Sequence, residues 1–312
     1  MRELKGGPDG PAALPRPCQA LPLTVAGVCD RFLAHSQRDN EPGTYAWYRA
    51  YLDDLCNHRD DDAGVLGLLP AADLRPFHVT AWLDAHAGWK TGRGCAIRAA
   101  KRAFSWAEQE GVLLPNPVKS VKRPAAPSRA RTMTREERAE LLGAIPDAEF
   151  RLFVEAMQES GARPSEIARL AAVDLNLRLG IFVLHRHKTS KRTGKPRVIY
   201  MTPRFLEIVT PLLVKYPEGP LFRGPRGGRP FTRQGICSRF RRLREKLPHL
   251  KNAIAYAYRH SFATDALTRG VGVAQVAELL GHADTSMVSR HYGHLANQVG
   301  HMREAARKAT GG

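Results

Sequence analysis

Five residues of this chain carry side chains that together could act on a phosphate. They are Arg163 in SGARPSEIARL, Lys188 in HKTSKRTGKP, Arg259 in YAYRHSFATDAL, and His282 with Tyr292 in ELLGHADTSMVSRHYGHL. Phosphoryl transfer asks for planar cationic donors where charge spreads over the non-bridging oxygens, a proton donor for the departing oxygen, and an in-line nucleophile. Two arginines, a lysine, a histidine and a tyrosine form such a set. Taken singly, each has a plainer reading. A lone tyrosine is ordinarily a half-buried core residue. Arg163 stands one helical turn before Glu166 and could simply pair with it. His260, beside Arg259, reads as structural support rather than as a catalyst. Lys191, Arg192 and Lys195 follow Lys188 closely; Lys188 is preferred for its place just after the first strand of a hairpin.

The elements that must position these residues can be traced in the second half of the chain. Thr134 and Glu137 have capping-box spacing and open a helix through Leu142. Residues 150–160 form a second helix, with Leu152, Phe153, Ala156 and Met157 inward and Gly161 as its terminator. Pro164 then starts a short helix directly after Arg163. The β-branched and aromatic runs GIFVLH (180–185) and RVIYM (197–201) flank the basic segment and predict a β-hairpin. From Pro203 the pattern is helical, broken by GPLFRGPRGGRP. Tyr258, Phe262, Ala266 and Arg269 suit a buried helix, and Val273, Val276, Ala277 and Leu280 line the next one.

The first half reads as a helical domain. Residues 1–20 are rich in Gly, Pro and Ala and are expected to be disordered. Thr24 caps a helix to about His35, and a second starts at Pro42 or Thr44 with Tyr45, Tyr48, Leu52 and Leu55 on one face. A third holds Val79, Trp82 and Leu83. The fourth, residues 92–109, aligns Ile97, Ala100, Phe104 and Ala107. Its polar side, with Lys90 just ahead of it, presents Arg93, Arg98, Lys101 and Arg102, and no acid interrupts it. Residues 119–131, with Lys119, Lys122 and Arg123, read as a Pro-rich basic tether. The expected division is therefore 1–20, a helical domain at 21–118, a linker at 119–131 and a second domain at 132–312.

The charge points to a polyanion. Forty-eight Lys and Arg against thirty Asp and Glu leave +18, and nucleic acid is the expected partner. Cys18, Cys29, Cys56, Cys95 and Cys237 are odd in number and widely spaced, against both a disulfide framework and a zinc site. No run of about eighteen apolar residues predicts a membrane span. The first residues lack the apolar core of a signal peptide, so a cytoplasmic setting is expected.

In this order and separation, SGARPSEI, YRHSFAT and LLGH…HY resemble the tyrosine recombinase (phage integrase) family over about residues 20–300. The segment FSWAEQEGVLLPNPVKSVKRP resembles that family's core-binding domain. The resemblance implies a mainly α fold with a small antiparallel sheet: an all-α, SAM-like core-binding domain followed by an α+β catalytic domain. It assigns Arg163 and Arg259 to the non-bridging oxygens and Lys188 to protonation of the departing 5′ oxygen. His282 becomes a donor to the phosphate and Tyr292 the nucleophile that forms a 3′-phosphotyrosyl bond. Glu166 and His260 support the site. No metal, ATP or other cofactor is implied. The partners implied are double-stranded DNA, three further copies in a synaptic tetramer and, in some systems, accessory DNA-bending proteins.

Two departures bear on activity. Tyr256 stands where the family commonly has His or Lys, and with an ordinary pKa of about 10 it is a poorer base at neutral pH. His282 and Tyr292 are ten positions apart rather than nine, an addition to be absorbed in HADTS. The rival readings are a type IB topoisomerase, which relaxes DNA without choosing a site, and a binding protein of this fold that no longer cleaves.

Overall fold

In the computed structural model the first helix begins at its expected cap, the Thr24 hydroxyl accepting from the Gly27 amide at 3.1 Å. The structure describes residues 22–89, 92–124, 132–185, 194–224, 228–250, 253–282, 284–289 and 307. It divides into two units, Met1–Ser128 and Arg129–Gly312.

The first unit is built on α1 (Val25–Asp39), α2 (Pro42–Asn57), α3 (Pro76–Asp84) and α4 (Gly92–Gln109). Helix α1 runs past His35 because no breaker stands before Pro42. Asn40 closes it, its amide bonding the Ser36 carbonyl and its side chain the Ser36 hydroxyl. Phe32, Leu52, Leu55, Trp82 and Phe104 are buried together, each such side chain contributing about 1.5–3 kcal/mol through removal from water. The indole of Trp82, carried into this core, keeps a partner in Asp54 at 2.6 Å. The helices are joined by a feature the sequence reading did not contain: β1 (Arg59–Asp60) pairs antiparallel with β2 (Gly64–Val65). Strands of two residues leave no alternation to detect.

Residues 119–121 are tied more closely to the first unit than a tether implies. Val118 and Val121 belong to the first unit's core. The Lys101 ammonium donates to the carbonyls of Lys119 and Val121 at 2.7 and 2.8 Å. The segment read as the start of a tether is thus tied to α4.

The second unit opens with α5 (Arg135–Gly143), whose capping box forms as read: Glu137 N to Thr134 Oγ1 at 3.2 Å, and Thr134 N to Glu137 Oε2 at 3.0 Å. Helix α6 (Ala148–Ser160) is capped by Asp147 and ends at Gly161, which adopts φ +61°. Leu152, expected inward, is only partly buried, whereas Phe150 and Val154 join Phe153, Ala156 and Met157 inside. Helix α7 (Pro164–Ile167) follows. The hairpin strands β4 (Ile181–Leu184) and β5 (Arg197–Tyr200) pair antiparallel, Ile181 opposite Tyr200. A further strand, β3 (Leu175–Asn176), extends the sheet in the order β3-β4-β5.

Further helices are α8 (Pro203–Lys215), α9 (Arg233–Lys246), α10 (Ala255–Thr268) and α11 (Val273–Leu280). Phe150, Phe153, Phe182, Phe205, Phe222, Phe240 and Tyr258 fill the main core. Ala263, Ala266, Leu267, Val276, Ala277, Leu280 and Val288 make a smaller one between α10 and α11. Arg269 is not inward; it is the exposed residue that closes α10. Helix α10 packs on α6 and on α11, so the ends of these three helices converge, and the residues of interest lie at those ends.

Candidate phosphate-binding site

Arg259 is deeply buried, 4% exposed on α10. Its Nη1 donates to the Gly161 carbonyl at 2.9 Å and its Nη2 to the Leu280 carbonyl at 2.6 Å. Gly161 can offer that carbonyl because it has no side chain. A Cβ there would fall 2.5 Å from Cδ1 of Phe262, and its φ is in the left-handed region. Burial, reinforced by the nearby Arg163 and Arg197, lowers the Arg259 pKa to about 10, which still leaves the guanidinium charged at neutral pH.

Arg163 precedes α7 and is anchored by Glu166. Its Nη1 meets Glu166 Oε1 at 2.6 Å and its amide meets Oε2 at 2.9 Å. Its Nη2 reaches the Gly281 carbonyl at 3.4 Å. The plain reading of this pair, a helix-turn salt bridge, is therefore present, and the pair also faces the end of α11. Burial alone would raise the Glu166 carboxyl; Arg197, Arg163 and the Arg163 amide outweigh it and hold the group below its ordinary range.

Arg197 was not among the expected site residues. It opens β5, is 3% exposed, and bonds Glu166 Oε2 through Nε at 3.4 Å. Its Nη1 donates to the carbonyls of Val198 and Glu278 at 2.6 and 3.1 Å, and its Nη2 to that of Leu279 at 2.6 Å. The one sequence signal for it is alternation, since Arg197 shares the inward face of β5 with Ile199.

Together these contacts place three guanidiniums on four consecutive carbonyls at the C-terminus of α11: Arg197 on 278 and 279, Arg259 on 280, Arg163 on 281. A helix C-terminus presents unsatisfied carbonyls and partial negative charge, so it is a natural cradle for cations. Gly281 ends the helix at φ +64°, and His282 follows. The His282 ring sits half-buried with Nε2 2.9 Å from Arg259 Nη2. Among the described residues its buried Nδ1 has no partner. Burial, then Arg259, Arg163 and Arg197, lower its pKa to about 4. The cluster holds three arginines against one carboxylate around a neutral histidine, which favours a bound anion.

Tyr256 lies at the mouth, 40% exposed, and after Glu166 it helps to hold the Arg163 guanidinium charged against the effect of burial. His260, one turn on, has its ring 5.6 Å from that of Tyr256. Lys195 is exposed just before β5. Lys188, Lys191, Arg192, Tyr292 and Lys90 lie outside the described residues.

The basic face of α4 is less open than its sequence implies. Arg93 pairs with Asp84 of α3 at 2.7 Å, and Glu108 on α4 itself pairs with Lys119 at 3.8 Å. Arg98 lies over the Trp47 ring at 5.1 Å. Lys101, read as a phosphate contact, is turned onto the backbone of residues 119 and 121. Arg102, Lys122 and Arg123 are exposed.

Residues 131–298 match the model of the phage integrase family. The chain belongs to that family. The matched span holds Arg163, Lys188, Arg259, His282 and Tyr292. The chain is 31% identical over 263 residues to the tyrosine recombinase XerC of Mesorhizobium japonicum, covering 78% of this chain and 81% of the relative. It is 31% identical over 287 residues to XerC of Rhodospirillum centenum, covering 84% and 80%. Its fold is that of solved integrases. A Tn1549 transposon integrase in complex with a circular intermediate DNA gives a TM-score of 0.72 at 17% identity, over 92% of this chain and 99% of that one. A lambda integrase dimer bound to a COC′ core site gives 0.68 at 16% identity, over 86% and 76%.

Proposed function

We propose that this protein is a site-specific tyrosine recombinase that breaks and rejoins DNA through a 3′-phosphotyrosyl bond to Tyr292. The observation that carries the reading is the cluster of Arg163, Arg197 and Arg259 around His282, a preformed cationic site on a chain of this family. Arg163 and Arg259 hold the non-bridging oxygens of the scissile phosphate. Tyr292 Oη attacks phosphorus and passes its proton to solvent water as the bond to the 5′ oxygen breaks, and that oxygen takes a proton from Lys188. When the phosphate takes Arg259 away from His282, the ring carries its proton on Nε2 instead of Nδ1 and donates a hydrogen bond to the charge that develops on the phosphate. The new ester retains the phosphodiester bond energy, so a second strand's 5′ hydroxyl can displace the tyrosine with no ATP consumed. Four protomers on two synapsed duplexes exchange the strands, with bending proteins where the site requires them.

Covalent capture tests the reading. The protein is incubated with fragmented genomic DNA from its source, denatured in detergent, and the attached DNA sequenced, with Tyr292→Phe alongside. Adducts at one inverted-repeat site that vanish in Tyr292→Phe support it. Adducts at all sequences identify a topoisomerase instead. Tight, salt-sensitive binding with no adduct identifies a binding protein that no longer cleaves, for which Tyr256 in place of a stronger base is the motivating residue.

A further inference from the structure

The donors of Arg197 and Arg259 are used differently. A guanidinium carries five N–H groups. Arg197 directs four of them inward, to Glu166, Val198, Glu278 and Leu279. Arg259 directs two to backbone carbonyls and a third to the His282 ring, a contact that an anion could replace. The Arg197 side chain is 2% exposed where that of Arg163 is 13%. Arg197 is therefore committed to the protein, and Arg163 and Arg259 face the anion.

The same side chain passes directly beneath Gly281. A Cβ at that position would fall 2.5 Å from both Cδ and Nε of Arg197, so the backbone of the αL turn rests against the guanidinium stem. Arg197 thereby joins three parts of the site: the carboxylate that anchors Arg163, the last turn of α11, and the turn that delivers His282.

Resting on the recombinase reading, we propose that Arg197 is a positioning residue for DNA cleavage. It holds the carbonyl row at 278–281 in place, so that Arg163, Arg259 and His282 converge on one phosphate, and it does not touch the phosphate itself. A lysine there would keep the charge opposite Glu166, but one nitrogen cannot bridge Glu166 Oε2 and the carbonyls of Glu278 and Leu279 together.

Arg197→Lys and Arg197→Met are the test, read in three ways: affinity for fragmented genomic DNA, the single-turnover rate of covalent adduct formation, and amide hydrogen exchange across the second unit. For Arg197→Lys, DNA affinity stays within about threefold and the adduct rate falls about 100-fold, the loss expected of an ångström-scale misplacement. Exchange rises at residues 278–282 and not in α6. Arg197→Met shows the same pattern with a larger rate loss. An adduct rate within about threefold of wild type overturns the proposal. So does an exchange increase spread over the whole unit together with lost binding, which would make Arg197 a scaffold residue. If wild-type protein itself forms no adduct, the recombinase reading fails separately. Selective exchange at 278–282 then still decides whether Arg197 holds the row.

Discussion

Arg259 Nη2 lies 2.9 Å from His282 Nε2, and a guanidinium has no lone pair to offer, so the ring nitrogen accepts. The histidine of the free site is consequently neutral, with its proton on the buried Nδ1. Its pKa of about 4 makes this measurable.

The His282 ring should titrate by nitrogen-detected NMR with a midpoint near 4, well below an ordinary histidine at about 6.5. Between those two values the unfolded chain binds a proton that the folded chain does not, so this group's contribution to stability falls as pH drops through that window. Burial is the larger cause and Arg259 the second, so Arg259→Met should raise the midpoint only part of the way. A wild-type midpoint near 6.5 would sink the assignment.

Gly281 and Gly270 make a matched pair. Both have positive φ, +64° and +83°, but a Cβ at 281 meets Arg197 whereas one at 270 meets nothing within 4 Å. Gly270→Ala should cost about 1–2 kcal/mol, the left-handed backbone penalty alone. Gly281→Ala should cost more and also slow adduct formation. Denaturant melts of the two variants check it, and equal losses would mean that the contact with Arg197 is relaxed away.

Glu166→Gln removes the carboxylate that bonds both Arg163 and Arg197. Breaking a buried pair from one side costs about 3–5 kcal/mol, and the variant should melt accordingly lower at neutral pH. Because the wild-type carboxyl is held below its ordinary range, its contribution is present above that range and is lost as pH falls through the folded pKa. Wild type and variant should therefore converge in stability in acid. Parallel curves would refute the pairing.

In the first unit, Lys101 and Arg102 are adjacent in sequence and differ in employment. Lys101→Met should lower the unit's melting temperature with little change in the salt dependence of DNA binding. Arg102→Ala should leave the melt alone and reduce the salt slope by about 0.9 if it neutralises one phosphate. The reverse pattern would return Lys101 to the DNA-facing set.

Ser261, fully buried in α10, accepts from the Met133 amide at 2.7 Å and donates to the Met133 carbonyl at 3.2 Å. Ser261→Ala leaves both backbone groups buried without that partner and should cost about 1–3 kcal/mol. A thermal melt that does not move would show that another group takes over.

What could be read from the sequence was what is decided locally. Thr24, Thr134 with Glu137, and Gly161 act within one turn of chain, and each does what its spacing implied. The stripe of α4 was legible because its buried face repeats at helical period. Arg163, Arg259 and His282 were found as motif residues, and the structure brings them together. Arg197 was not found, because its partners are main-chain carbonyls 81 and 82 residues away, and a carbonyl leaves no mark in a sequence. The contacts of Lys101 with the carbonyls of Lys119 and Val121 left no mark for the same reason.

That last point reaches into how such a chain can vary. The carbonyls at 278, 279, 280 and 281 that receive the guanidiniums belong to the backbone, so a substitution of Glu278, which is exposed, leaves the receiving oxygens where they are. Mutation can erase the three arginines one at a time, but it can alter their receptor only by breaking the helix end or by crowding Gly281. Drift in the side chains along this stretch is thereby uncoupled from the site it supports.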